Sequence, residues 1–213
     1  MSGWAPIILL AAGSYLAGSL PFGWWVTKAW SGVDIREVGS GNIGTTNVLR
    51  AAGWRPALVV FMLDAAKGAA PVLVARWLVG RGGYPGAHAL AIVLGAGALT
   101  LLGHAFSVFL GMRGGRGAAT GFGVLAALSW KVGLSGLGVF IVVAYGTRIV
   151  SVASIAGSAA MPIFMLIYNH SRSYVLFAAA AAALVIARHA PNIRRLLRGE
   201  EPRIGRPKES GDG

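Results

Sequence analysis

The sequence predicts an all-α integral membrane protein of about seven transmembrane helices, with its N-terminus outside and its C-terminus in the cytoplasm. Three observations predict it. Of the 213 residues, 55% are hydrophobic and only 12% charged, about half the charge of an ordinary globular chain. Apolar stretches bounded by charges recur along the chain at or near the roughly 20 residues that a helix needs to cross a bilayer core of about 30 Å. The basic residues, 19 Lys and Arg against seven Asp and Glu, crowd into alternate loops. A net charge of +12 taken alone fits nucleic acid, anionic lipid, an anionic substrate or cytoplasmic loops. The absence of cysteine excludes a disulfide framework, a thiolate nucleophile, Cys-ligated zinc and iron–sulfur clusters.

The apolar segments fall in order at residues 4–26, 55–79, 87–110, 118–130, 132–145, 149–168 and 174–187. The first has no basic n-region and is too long for the apolar core of a signal peptide, so it reads as a retained span. The fourth, fifth and seventh are short. Lys131 followed by Gly133 points to a turn between the fourth and fifth, and merging those two gives the competing count of six.

Loop charge sets the orientation, because short cytoplasmic loops retain Lys and Arg. With the N-terminus outside, the cytoplasmic side receives Lys28, Arg36, Arg50, Arg55, Arg113, Arg116, Arg148 and the seven basic residues from Arg188 to Lys208. The outer side receives only Arg76, Arg81, Lys131 and Arg172, and Lys67 lies within a span. The surplus of positive charge is therefore first a topological signal. No nucleic-acid-binding module is visible.

The same topology gathers the unusual polar segments on the cytoplasmic side. Residues 39–50 hold Ser40, Asn42, Thr46, Asn47 and Arg50 among three glycines. They can donate hydrogen bonds to an anion or form a polar turn that caps the next helix. In residues 103–117, Gly114, Gly115 and Gly117 surround Arg116 just before a helix start, with His104 upstream. Backbone N–H groups beside guanidinium groups make a phosphate cradle, although no Walker A ending follows; a flexible positive-inside hairpin is the plainer reading. Ser151 and Ser154 share a helix face and serve either a headgroup or helix packing. Residues 188–201 carry His189 and Asn192 three apart, with arginines sufficient to anchor anionic lipid. Asp64 and Lys67, at i and i+3 within the second span, pair with each other or face a wet cavity, and Lys67 can point into the cytoplasmic pocket. His88 and His170 fall near the outer surface as incidental residues, and no histidine pair has metal-ligand spacing. The stretch 202–213, rich in Pro, Gly and charge, reads as a disordered tail after a single domain at 1–201.

Five ordered segments carry a resemblance over nearly the whole chain: SGNIGTTNVLR (40–50), LDAAKG (63–68), GHAFSVFLGMRGGRGAATGFG (103–123), SVASIAG (151–157) and HAPNIRRLLRGEEPRIG (189–205). Together they resemble the bacterial membrane glycerol-3-phosphate acyltransferases that use acyl phosphate as donor. Two positions depart from the family's pattern. Thr45 stands where Ala is frequent, and Arg116 stands where Lys is common, keeping the charge but changing the hydrogen-bond geometry.

The resemblance implies acyl transfer from acyl phosphate to the 1-hydroxyl of sn-glycerol 3-phosphate, giving lysophosphatidic acid and phosphate. It places the enzyme in the bacterial cytoplasmic (inner) membrane with its site facing the cytoplasm, and it implies no metal and no cofactor. Carried over residue by residue, it makes Ser40, Arg50, Arg116, His189 and Asn192 catalytic. Ser154 and Ser151 contact the polar substrates, and Glu201 becomes a structural carboxylate. Both reactants carry phosphate, so Arg50, Arg116, Lys67 and the loop N–H groups have two anions to hold. No nucleophile elbow and no His-x4-Asp pair is present, which favours direct transfer. The base is either His189, with an ordinary pKa near 6.5, or the acceptor's own phosphate, with a second pKa near 6. The rival from another class is a transporter or channel for an anionic solute. Clustering of the polar motifs on one face and the absence of an internal repeat argue against it. A third reading, a polybasic membrane scaffold, leaves Ser40, Asn42, Asn47, His189 and Asn192 without a purpose. Acyl chain length and oligomeric state are not readable from these patterns.

Overall fold

A computed structural model of the chain describes residues 4–82, 84–169 and 171–205. His170 lies outside the described residues. Among the described residues ten α-helices follow one another: α1 (Trp4–Ser19), α2 (Phe22–Ser31), α3 (Thr45–Ala52), α4 (Trp54–Gly82), α5 (Gly86–Ala105), α6 (Ala118–Leu128), α7 (Trp130–Thr147), α8 (Val150–Asn169), α9 (Arg172–Arg188) and α10 (Ala190–Leu197), with a short 3-10 turn at Val108–Leu110. Among the described residues every regular element is helical, as lipid demands of a chain that must satisfy its backbone polar groups internally.

All seven apolar segments are helical, with differences at their ends. The first runs on to Ser31 as one apolar unit of 28 residues but breaks at Leu20–Pro21, because Pro21 has no N–H to continue the ladder. After the break the Trp24 N–H donates to the Pro21 carbonyl, and the Leu20 carbonyl it bypasses accepts a hydrogen bond of 2.7 Å from the Lys67 ammonium. The expected turn at Lys131–Gly133 lies two residues earlier. Ser129 adopts an extended conformation that ends α6 and caps α7, so Lys131 and Gly133 are inside a helix. Gly133 packs where a Cβ would meet Ala126, and a tight junction of this kind needs no longer loop.

Five of these units are long and apolar enough to cross a membrane, and α9 with α10, bent by 57° at His189, makes a sixth. The seventh, α6, has 11 residues and rises only about 16 Å, half a bilayer core. It lies against α4 instead, where a Cβ on Gly68 would overlap the Thr120 carbonyl and one on Gly123 the Ala65 carbonyl. Close small-residue approach of this kind replaces the hydrophobic effect as the packing force between helices in lipid. Gly18 and Gly103 do the same between α1 and α5, against Thr100 and Tyr15.

Leu9, Leu73, Val142, Ile163 and Leu176 are exposed around the bundle, facing lipid. Trp4 and Trp77 are exposed at one end and Trp30 and Trp54 at the other, where amphipathic rings sit at the two headgroup levels. The main core joins Val72 of α4, Val93 of α5, Val124 and Leu125 of α6, Val132 of α7 and Met165 of α8. A second core of Ile35, Ile43, Val48, Ala57 and Val60 seats the first polar loop and α3 against α4. Pro202 to Gly205 follow a described path, the Ile204 N–H donating to the Arg148 carbonyl at 2.8 Å. The ordered chain thus runs four residues beyond the expected start of the tail; residues 206–213 lie outside the described ones.

Candidate active site

The first polar loop is built around one amide. The Asn47 Nδ2 group donates to the carbonyls of Ile35 (3.2 Å) and Val38 (2.9 Å), and its Oδ1 accepts from the Ser40 N–H (3.1 Å). That uses both donors of the side chain and one of the two acceptor sites of its oxygen, so Asn47, expected to bind substrate, holds the loop together while lining the cavity. Asn42 Oδ1 accepts from the Gly44 N–H at 2.8 Å. Gly39 has φ +62, and a Cβ there would press on the Asn47 amide. The loop is further fixed by Asp34, which Arg36 grips in an ion pair of 2.6 Å. The Arg36 hydrogen bonds hold that carboxyl well below the usual carboxylate range.

The outcome of this wiring is the start of α3. Gly44 is extended and caps the helix, and the N–H groups of Asn47 and Val48 return to its carbonyl. A helix start presents its first N–H groups without intrahelical partners, here those of Thr45 and Thr46.

The glycine-rich loop is wired differently. The Gly114 N–H donates to the Ala105 carbonyl (3.2 Å) and the Gly115 N–H to the His104 carbonyl (3.0 Å). Their carbonyls accept from Arg188, Nη2 to Gly114 at 3.0 Å and Nε to Gly115 at 3.2 Å. The expected N–H cradle at Gly114 and Gly115 is therefore absent, since those donors are already used. The glycines are needed for closeness: a Cβ on Gly115 would overlap the His104 imidazole and one on Gly114 the His104 carbonyl. His104 is buried, with Nδ1 hydrogen-bonded to the Thr120 hydroxyl at 3.0 Å.

A cavity of about 130 Å³ lies where these pieces meet. Its polar wall holds Ser40, Asn42, Thr45, Thr46, Asn47, Arg50, Asp64, His104, Arg116, Gly117, Ser154 and His189. Its other wall is apolar, with Phe61, Phe122, Leu137, Phe140 and Met161 from α4, α6, α7 and α8. Burial and the neighbouring Arg195, Arg50 and Arg188 charges lower the Arg116 pKa to about 10, which leaves it a cation at neutral pH. His189, just beyond α9, is buried with Nδ1 2.7 Å from the Val185 carbonyl. Burial, reinforced by the Arg116 charge against the opposing Val185 bond, lowers its pKa. The neutral ring donates Nδ1–H to Val185 and keeps the Nε2 lone pair.

Five predicted site residues stand elsewhere. Asn192 does not line the cavity; its Nδ2 donates to Glu201 at 2.7 Å. Ser151 likewise donates to Glu201, at 2.9 Å. Glu201 also takes the Arg195 guanidinium at 2.7 Å. Burial alone would raise the Glu201 pKa, but the Asn192, Ser151 and Arg195 hydrogen bonds outweigh it and hold it below the ordinary value. This carboxylate thus joins α8 and α10 outside the cavity lining. Lys67 is turned away, bound to Asp64 (2.7 Å) and Leu20, while Asp64 both pairs with it and lines the cavity. The fourth and fifth are Gly114 and Gly115, whose N–H groups are bonded to Ala105 and His104.

Sequence reasoning missed Arg188, whose charge fits positive-inside topology equally well. It also missed the apolar wall, which comes from four separate helices with no common motif. Among the described residues no three His, Asp or Glu side chains converge on one point.

The fold and this site have counterparts in known proteins. The family described as glycerol-3-phosphate acyltransferase matches residues 8–199. A glycerol-3-phosphate acyltransferase of Synechococcus sp. (strain JA-3-3Ab) is 44% identical over 205 residues, covering 96% of this chain and 97% of its own. Another, from Thermosynechococcus vestitus (strain NIES-2133 / IAM M-273 / BP-1), is 45% identical over 199 residues, covering 92% and 94%. The crystal structure of PlsY, an integral membrane glycerol 3-phosphate acyltransferase, in its glycerol 3-phosphate form superposes with a TM-score of 0.85 at 38% identity, covering 94% of this chain and 96% of that one. Its lysophosphatidic acid form gives 0.83 at 36%. With the match running through nearly all of the sequence and all of the cavity, the chain belongs to the glycerol-3-phosphate acyltransferase family.

Proposed function

We propose that the protein transfers a fatty acyl group from acyl phosphate to the 1-hydroxyl of sn-glycerol 3-phosphate, releasing lysophosphatidic acid and phosphate. The reaction takes place at the cytoplasmic face of the bacterial inner membrane. One observation carries this reading: a single cavity has a cationic, hydroxyl-bearing wall and an apolar aromatic wall. Such a site suits a reactant that is phosphate at one end and hydrocarbon at the other. Both parent structures named for glycerol 3-phosphate and lysophosphatidic acid support the same chemistry.

The acceptor oxygen attacks the acyl carbonyl carbon. A C–O ester bond forms, the bond from the acyl carbon to the phosphate oxygen breaks, and phosphate leaves with that electron pair. Arg50 and Arg116 stabilise the phosphates and the charge that develops on the carbonyl oxygen, in a partly dry site where fixed charges act strongly. His189 Nε2 accepts the hydrogen bond of the acceptor hydroxyl and then its proton, the Val185 carbonyl having fixed the tautomer. An acyl phosphate is already activated, so no covalent enzyme intermediate is required.

The test supplies purified protein in detergent or lipidic phase with palmitoyl phosphate and glycerol 3-phosphate. The reading requires lysophosphatidic acid to appear together with acceptor-dependent phosphate release. If phosphate appears without the acceptor, or lysophosphatidic acid never does, the assignment is wrong.

A further inference from the structure

Among the described residues, one buried side-chain polar atom at the cavity has neither a hydrogen bond nor an ion pair. The Thr45 Oγ1 is buried and makes no hydrogen bond among the described residues, yet Thr45 lines the polar wall between Gly44 and Thr46. As the first residue of α3 it has no helical carbonyl four residues back to accept its proton. A buried hydroxyl left in this state costs free energy, and the position does not require one, since the family's pattern tolerates Ala there. Arg50, one and a half turns further along α3, and Arg116 across the cavity surround the same space with positive charge, so a group that fills it and accepts a proton is an anion.

We propose that the Thr45 hydroxyl donates a hydrogen bond to a phosphate group bound at the polar end of the cavity, so that Thr45 is a substrate-binding residue. The inference rests on the acyltransferase reading. Acyl phosphate and glycerol 3-phosphate offer the same chemistry, and kinetics distinguish which of them the hydroxyl serves.

Three full-length proteins are compared in the same detergent: wild type, Thr45→Val, which keeps the shape and deletes the hydroxyl, and Thr45→Ser, which keeps the hydroxyl. KM is measured separately for palmitoyl phosphate and for glycerol 3-phosphate, kcat at saturation, and the thermal midpoint without ligand. Thr45→Val raises one of the two KM values about tenfold, the worth of a hydrogen bond to a charged group, and the affected substrate names the phosphate. Thr45→Ser restores the wild-type KM. The ligand-free midpoint stays level or rises, because an unpartnered buried hydroxyl has been removed. Three results overturn the proposal: neither KM changes, the serine variant fails to restore it, or the loss runs in parallel with a lower midpoint and so reports packing. Loss of the acyltransferase reading looks different, since wild type itself then makes no lysophosphatidic acid.

Discussion

Residues 39–50 and 103–117 look alike as sequences, each a run of glycines with polar or basic side chains before a helix, and the fold uses them in opposite ways. In the first, side-chain amides of Asn42 and Asn47 tie the loop, and the N–H groups at the start of α3 stay open toward the cavity. In the second, the glycine N–H groups are spent on the carbonyls of Ala105 and His104, and the glycines let the chain lie flat on an imidazole. A loop's glycine content therefore says that something approaches closely. Whether that something is a ligand or the protein's own backbone depends on where the N–H groups go.

The second region does contribute chemistry through one side chain, and removing it gives the largest effect. Arg116→Ala should lower kcat by about 10²–10³-fold, the loss typical of one preorganised donor to a developing oxyanion, with the thermal midpoint nearly unchanged. A comparable fall in midpoint would move Arg116 from the chemistry to the scaffold.

Gly115→Ala sharpens the contrast, because alanine retains the N–H. A phosphate cradle built from that N–H would survive the substitution. Packing against His104 would not: overfilling a tight site should cost up to about 3 kcal/mol of stability. The loss should be visible in the thermal midpoint before any change in substrate KM. A stable variant with altered KM would restore the cradle.

Asn47→Ala probes the first region from its scaffold side. Three hydrogen bonds go together, leaving the Ile35 and Val38 carbonyls and the Ser40 N–H short of a partner. About 2 kcal/mol of stability should be lost, with kcat and both KM values falling out of range together as α3 loses its fixed start. If KM for one substrate rises alone while the midpoint holds, Asn47 touches that substrate directly.

The helices were legible because lipid imposes a length and a polarity on each of them. The charges of alternate loops bounded them, and the Pro21 break was the one interior feature that the apolar pattern hid. The Arg50, Arg116 and His189 cluster was legible through the family resemblance, and the cavity brings these three together. What escaped was the direction of side chains. Asn192 and Ser151 sit at motif positions, but their hydrogen bonds to Glu201 depend on a chain turn 50 and nine residues away, which no local spacing encodes. Lys67 faces Leu20 because the helix restarting at Pro21, 46 residues earlier, bypasses the Leu20 carbonyl, again a long-range cause. Alpha-helical spacing did predict its ion pair with Asp64, because that partner is local.

The smallest expected effect links the two regions through His189. Its pKa is held below 6.5 by burial and, in part, by the Arg116 charge. If the neutral ring is the working form, activity is full above 6.5 and falls as the pH drops through the lowered value. The stability linkage has the same sign. Between the unfolded pKa near 6.5 and the lower folded one, the unfolded chain binds the proton first, so stability declines on acidification in that window. The substrate phosphate titrates near 6 as well, so the position of the acid limb in wild type does not identify the group. Its displacement between variants shows whether that group feels the Arg116 charge. Arg116→Gln removes the cation and should move the limb of the residual activity to higher pH by a fraction of a unit, whereas Arg116→Lys keeps the charge and should leave it in place. Identical limbs in both variants would mean that the titrating group does not feel the Arg116 charge, which rules out the His189 assignment.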